Sequence, residues 1–153
     1  MKKFKDLEKY KNFKDPIAKK SIYIYLNELE SLEGSPEVVR GNFNCSDNQL
    51  ASLEFSPEEI GNNFNCSNNN LESLKYAPKI LIGSFNCSFN RLKDLKKLPT
   101  YIEKEFDCSN NFISSIMELK KIQFLKSINI SYNKINSLKG LPLTELENFN
   151  CSH

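Results

Sequence analysis

The four-residue sequence Phe-Asn-Cys-Ser recurs along the chain at a nearly constant interval, and this period constrains the fold more than any other feature. Its cysteine position advances by 21, 21, 21, 22 and 21 residues; the fourth copy has aspartate for asparagine, and the fifth has isoleucine for both Phe and Cys. A period of this length indicates that each unit is one supersecondary element that stacks on its neighbours. The copies begin at Phe43, Phe64, Phe85, Phe106, Ile128 and Phe149.

Seven units defined by this period share one pattern, Φ-x-Φ-x-x-Asn-x-Φ-x-x-Φ, where Φ is a large apolar residue or cysteine. The first unit is divergent and begins at Ile22, and the last stops at His153 before its asparagine. A proline usually follows the pattern by four residues. The asparagines are Asn27, Asn48, Asn69, Asn90, Asn111 and Asn133, and the prolines are Pro36, Pro57, Pro78, Pro99 and Pro142.

This pattern resembles that of the leucine-rich-repeat family, L-x-L-x-x-N-x-L, with Phe and Cys or Ile in the strand positions. The resemblance covers residues 22–153. It implies a fold that is formally α/β: a right-handed solenoid with a parallel β-sheet on its concave face, polyproline or 3₁₀ segments on its convex face, and little helix. The short proline-bearing units look like those of secreted bacterial effectors and of small bacterial and phage repeat proteins. The unit around residues 116–125 departs from them, since it lacks the proline.

Alternate side chains of each strand are expected to face the core and the concave surface. Phe43 and Cys45 then point inward, whereas Asn44 and Ser46 point to the concave surface. Stacked coils bury each inward residue against its equivalents, about 4.8 Å apart. The inward asparagine turns the chain after the strand, and its amide can bond backbone groups there and in the next coil.

Residues 1–20 lie outside the repeat, and residues 21–153 form the predicted leucine-rich-repeat domain of seven coils, the last incomplete. The first segment carries eight lysines against three acidic residues, whereas the second carries 13 basic and 16 acidic residues. Phe4, Leu7 and Tyr10 have helical spacing. We expect a basic helix that caps the first coil; the alternative is a basic arm that binds an acidic partner or nucleic acid.

The five cysteines are expected to be buried free thiols in the core. No apolar run follows the N-terminus, so we predict neither a signal peptide nor a membrane span. The expected location is the cytoplasm of the producing or host cell, where thiols stay reduced. A spacing of 21 residues differs from that of zinc ligands, and no acid is placed to orient His153 as in a hydrolase. We therefore predict no metal, no cofactor and no enzymatic activity.

Three columns of residues are expected on the concave face. The asparagine column and the serine column are monotonous, which indicates a structural role, whereas the next column, from Leu26 to His153, varies between coils. In the first coil, tyrosines replace the Asn and Ser. Exposed aromatic residues on a polar sheet are candidate anchors for a partner, unless those of the variable column fold over the rim as core. The predicted partner-binding residues are Tyr23, Tyr25, Asp47, Asn68, Phe89, Asn110 and Tyr132.

These features predict a non-catalytic module that binds a protein partner through its concave face. The first alternative is the substrate-recognition part of a larger effector, since the secreted bacterial effectors that the chain resembles carry a ubiquitin-ligase domain after their repeats. The second is binding of an acidic partner or nucleic acid by the lysine-rich arm. We also expect the strand from Asn148 to His153 to be an open edge. Either the natural chain continues past His153, or this edge pairs with another molecule, such as a second copy of the chain.

Overall fold

A computed structural model describes residues 1–142 and 145–152 of the chain. In this part, the chain winds into a solenoid in which every strand is parallel to its neighbours. Helix is confined to short 3₁₀ turns at Phe4–Asp6, Glu8–Tyr10 and Met117–Lys121. The predicted parallel solenoid with little helix is confirmed.

The strands form two parallel sheets that alternate along the chain. The described residues contain eleven strands: β1 (Ile17–Ala18), β2 (Ile22–Tyr23), β3 (Val38–Val39), β4 (Phe43–Asn44), β5 (Glu59–Ile60), β6 (Phe64–Asn65), β7 (Ile80–Leu81), β8 (Phe85–Asn86), β9 (Glu105–Asp107), β10 (Ser127–Asn129) and β11 (Asn148–Asn150). The larger sheet has the order β11-β10-β9-β8-β6-β4-β2, and the smaller sheet has the order β1-β3-β5-β7.

The strand register reproduces the sequence period. Phe64 pairs with Phe43 on one side and with Phe85 on the other, each 21 positions away. The single step of 22 falls between β9 and β10, where Glu105 pairs with Ser127. The 3₁₀ turn Met117–Lys121 lies in the segment between these strands and accommodates the longer unit.

The smaller sheet is an addition to the predicted architecture. Each of its strands ends a few residues before a strand of the larger sheet, in segments such as Val38–Val39 whose β-branched residues favour extended backbone. Val39, Ile60 and Leu81 point into the core and are fully buried. The isolated parallel bridge between Tyr101 and Gln123 joins the equivalent positions of the next two coils.

The core is a stack of equivalent side chains from successive coils. The rings of Phe43, Phe64, Phe85 and Phe106 lie 6.0, 5.2 and 5.6 Å apart between neighbouring centroids and are almost wholly buried. Aromatic rings at such distances contribute packing energy beyond that of area burial. Each ring therefore stabilises the contact between coils as well as its own coil.

The inward asparagines tie each coil to the preceding one. The Asn69 Oδ1 accepts the backbone N–H of Leu50 at 2.9 Å, and its Nδ2 donates to the carbonyls of Cys45, Cys66 and Ser67 at 3.0, 3.2 and 3.1 Å. The same set recurs at Asn90 and, with small changes, throughout the solenoid. The role predicted for these amides is confirmed, except that they bond the previous coil and not the next.

Replacing Asn69 with alanine is expected to lower the free energy of unfolding by about 2–3 kcal/mol, because buried backbone groups lose their partners. Asn70 is the matched control, since within residues 1–142 and 145–152 its side chain makes no hydrogen bond to the solenoid. Its alanine variant should stay within about 0.5 kcal/mol. Urea unfolding of both variants measures the difference. Equal losses would contradict a structural role for the buried amide.

The N-terminal segment packs on the first coil without forming the predicted α-helix. Phe4 and Tyr10 are buried and their rings stack at 4.7 Å. The prediction of a helix is wrong because the backbone of this segment bonds the solenoid: the N–H of Phe4 donates to Ser31, and extended Leu7 separates the two 3₁₀ turns. The smaller sheet begins at Ile17, before the start predicted for the repeats.

At the other end, β11 is the last strand of the larger sheet, and all three of its residues are exposed. Phe149 is 38% exposed, whereas its equivalents in the core are at most 3% exposed. The prediction of five buried thiols is wrong for Cys151: all five cysteines are free, but Cys151 is exposed because no coil in the described residues stacks on it. His153 lies outside the described residues.

Candidate binding surface

Each asparagine of the asparagine column is the last residue of a strand of the larger sheet. The Asn65 Oδ1 accepts the backbone N–H of Ser67 at 3.0 Å, which closes a tight turn directly after the strand. Asn44, Asn86, Asn129 and Asn150 make the same bond, and so does Asp107. The repetition of this column is therefore structural, because a short acceptor side chain is needed at each strand end.

Most serines of the next column are turned away from solvent. Four of them, at positions 46, 88, 109 and 131, are only 2–4% exposed. The hydroxyls of Ser88 and Ser131 donate to the asparagine two positions earlier, at 2.7 Å in both cases. The prediction that the serine column lies exposed on the concave surface is therefore wrong for these four residues.

The variable column occupies a special backbone conformation. Every member within the described residues has a left-handed backbone, with φ between 51° and 55°. Asparagine, aspartate and glycine tolerate this region, whereas a bulky side chain there is an outlier. The members are Leu26, Asp47, Asn68, Phe89, Asn110 and Tyr132.

Phe89 and Tyr132 are the aromatic members of this column, and each is 58% exposed. The alternative that they fold over the rim as core is excluded by this exposure. A left-handed conformation costs an ordinary residue about 1–2 kcal/mol. These two rings therefore carry a conformational penalty that burial in the core does not offset.

The polar members of the column bond one another or their neighbours. The Asp47 carboxylate accepts the Asn68 Nδ2 and the Ser46 hydroxyl, both at 2.7 Å. The Asn110 Nδ2 donates to the Ser109 hydroxyl at 3.3 Å. Of the residues predicted to bind a partner, Asp47 and Asn68 are thus linked to each other across coils, while Asn110 lies between the two exposed aromatic residues.

The first coil presents a separate apolar patch. Tyr23 and Tyr25 are each about half exposed, at 49% and 48%, and Leu26 is 72% exposed. The Tyr23 hydroxyl accepts the Asn42 Nδ2 at 3.2 Å, and this hydrogen bond, with one to Ser21, lowers the pKa of Tyr23. The structure thus divides the predicted residues into a first-coil group and a later group around Phe89 and Tyr132.

A second column of residues with a left-handed backbone was not predicted from the sequence. Gly34, Phe55, Tyr76 and Lys97 follow one another at the repeat period, with φ of 94°, 66°, 69° and 66°. Phe55 and Tyr76 are about half exposed and line a cavity of about 450 Å³ outside the larger sheet. The signal for this column was the position of Gly34, since glycine is the residue that favours positive φ.

None of the family models, curated proteins or solved structures compared with this chain matches it. Across residues 1–142 and 145–152, no helix has both the length and the apolar character needed to cross a membrane. The same residues contain no group of three or more His, Cys, Asp or Glu side chains arranged to hold a metal ion.

Proposed function

We propose that this chain is a non-catalytic protein-interaction module of the leucine-rich-repeat type. It binds a partner protein through the concave face of its solenoid, at the exposed residues that follow the strands of the larger sheet. The central contacts are Phe89 and Tyr132, and Tyr23 and Tyr25 extend the surface at the first coil. Tyrosine is enriched among the energetic anchors of protein interfaces, and a phenylalanine ring likewise buries a large apolar area on contact.

The observation that carries this proposal is the strain at Phe89. The neighbouring coils hold Asn68 and Asn110 at the same backbone position, so the fold itself contains the less strained choice. An aromatic residue at this position lowers the stability of the free protein and leaves a large apolar surface in water. Contact with a partner would bury that surface and supply the missing favourable energy.

The spacing of the two rings suits one side chain of a partner. Phe89 and Tyr132 extend from the ends of strands β8 and β10, which β9 separates, so they lie about 10 Å apart by strand spacing. Asn110 lies between them on the intervening coil. An apolar group inserted between the rings would therefore meet a polar amide at its base.

Replacing Phe89 with asparagine is expected to raise the free energy of unfolding by about 1 kcal/mol, because asparagine tolerates positive φ. The same change, combined with Tyr132→Asn, should weaken partner binding by at least about tenfold, as expected on loss of an interface anchor. Stability is measured by urea unfolding. Binding is measured by quantitative recovery of proteins from a lysate on immobilised chain, followed by titration of each recovered protein.

Phe55→Asn is the matched control for this experiment. Phe55 is also aromatic, about half exposed and left-handed, but it lies outside the larger sheet. Its variant should gain stability in the same way and keep its partners. The proposal is wrong if every recovered protein binds the Phe89→Asn, Tyr132→Asn variant as tightly as the wild type, or if Phe55→Asn loses the same proteins.

A further inference from the structure

A cavity of about 440 Å³ lies at the N-terminal end of the solenoid, between the second 3₁₀ turn and strands β1 and β2. Its volume is within the range of cavities that hold ligands or side chains of a partner. Apolar residues on its wall include Phe13, which is partly buried, and Ile17, which is 38% exposed. Lys9, Lys19 and Lys20 supply the positive charge.

These three lysines form no ion pair within the described residues. Elsewhere the structure pairs lysines readily: Lys3 and Lys5 both contact Glu33, and Lys79 and Lys93 bond glutamates of the preceding coil. The one carboxylate on the cavity wall, that of Asp15, accepts the backbone N–H of Ile17 at 2.8 Å. With three lysines against one carboxylate, the cavity wall has a net positive charge.

The aromatic residues of the cavity favour an apolar side chain over a nucleobase. Tyr10 is 8% exposed, its ring is stacked on Phe4 at 4.7 Å, and the Lys9 ammonium lies 5.2 Å from its centroid. Phe13 meets Tyr10 edge-on at 6.3 Å. Single-stranded nucleic acids are held by open aromatic faces on which bases stack, and Tyr10 has no such face available.

We propose that this cavity binds an acidic segment of a partner polypeptide. Carboxylates of the segment pair with Lys9, Lys19 and Lys20, and one apolar side chain enters the cavity against Phe13 and Ile17. Charge complementarity attracts the acidic segment to the cavity, and burial of the apolar side chain determines which residue of the segment lies in it. This site is separate from the surface around Phe89 and Tyr132. Its test is therefore independent of the test of the proposed function.

Fluorescence anisotropy of labelled probes tests the proposal. The first probe is a twelve-residue peptide of glutamates with one central leucine, the second has glycine for the leucine, and the third is a twelve-nucleotide single-stranded DNA. The variant Lys9→Gln, Lys19→Gln, Lys20→Gln removes the charge of the cavity. The control variant Lys97→Gln, Lys104→Gln, Lys139→Gln changes the net charge equally at exposed positions elsewhere.

At about 0.15 M salt, where charges beyond about 8 Å are largely screened, the leucine peptide should bind the wild-type chain and the control variant within about twofold of each other. The cavity variant should bind it about tenfold more weakly, with circular dichroism unchanged, as expected for the loss of three ion pairs. The glycine peptide and the DNA should bind the wild type more weakly. Equal weakening by both lysine variants, equal binding of the two peptides, tighter binding of the DNA, or no binding of the leucine peptide would each overturn the proposal.

Discussion

Raising the pH from 7.5 to 9.5 is expected to remove about 5 kcal/mol from the free energy of unfolding. Cys45, Cys66, Cys87 and Cys108 are fully buried, and burial raises the pKa of each thiol far above its ordinary value. In the unfolded chain the same thiols ionise with a pKa of about 8.5. Above this pH the unfolded state binds fewer protons than the folded state, so stability falls as the pH rises.

The magnitude follows from proton linkage alone. Each thiol that ionises only in the unfolded chain lowers the free energy of unfolding by about 1.4 kcal/mol at one pH unit above its unfolded pKa, and four thiols act together. This stability is fully present below the unfolded pKa of about 8.5. Urea unfolding at pH 7.5, 8.5 and 9.5, with a reductant present, measures the loss.

Two alanine variants distinguish this mechanism from general alkaline instability. Cys87→Ala should lose about a quarter of the pH dependence, because one of four buried thiols is removed. Cys151→Ala should keep the full dependence, since Cys151 is exposed in the folded chain. A flat profile for the wild type, or an equal change in the two variants, would show that the buried thiols do not control the alkaline transition.

Replacing Phe64 with alanine is expected to lower the free energy of unfolding by about 3–5 kcal/mol. The ring of Phe64 is 1% exposed and lies between those of Phe43 and Phe85, at centroid distances of 6.0 and 5.2 Å. Its removal leaves a cavity between three coils, which the two flanking rings can fill only in part. Urea unfolding at pH 7.5 measures the effect.

Phe149→Ala is the control, because Phe149 occupies the same repeat position in the last coil and is 38% exposed. Its loss should be below about 1.5 kcal/mol, since less apolar area leaves contact with the protein. If the two variants lose the same free energy, then stability follows the repeat position itself and not the burial that stacking produces.

The period of the sequence was sufficient to predict the parallel pairing and the core. Phe43, Phe64 and Phe85 are one period apart and lie side by side in the larger sheet, and the asparagines turn each coil as expected. Such features follow from residue type and spacing, since one equivalent side chain must stack on the next. The aromatic residues of the variable column were also identified, although their exposure could be decided only by the structure.

The features that could not be predicted from the sequence depend on backbone geometry. The turn that follows Asn86 leaves Ser88 buried, and the hydrogen bond from Phe4 to Ser31 holds the N-terminal segment in a conformation other than an α-helix. Neither effect changes the pattern of apolar and polar residues. For the same reason the cavity beside Lys19 and Phe13 could not be seen in the sequence, because it is formed by segments that meet only when the first coil has closed.

The register of 21 or 22 residues between paired strands also determines how the chain can assemble during synthesis. Each coil pairs its strands with those of the coil before it, and the N-terminal residues bond Glu30 and Ser31 of the first coil. The N-terminal segment and the first coil can therefore come together soon after these residues leave the ribosome, and every later coil adds to an existing template as it emerges. Such vectorial growth avoids the wait for distant chain segments that slows the folding of most β-proteins.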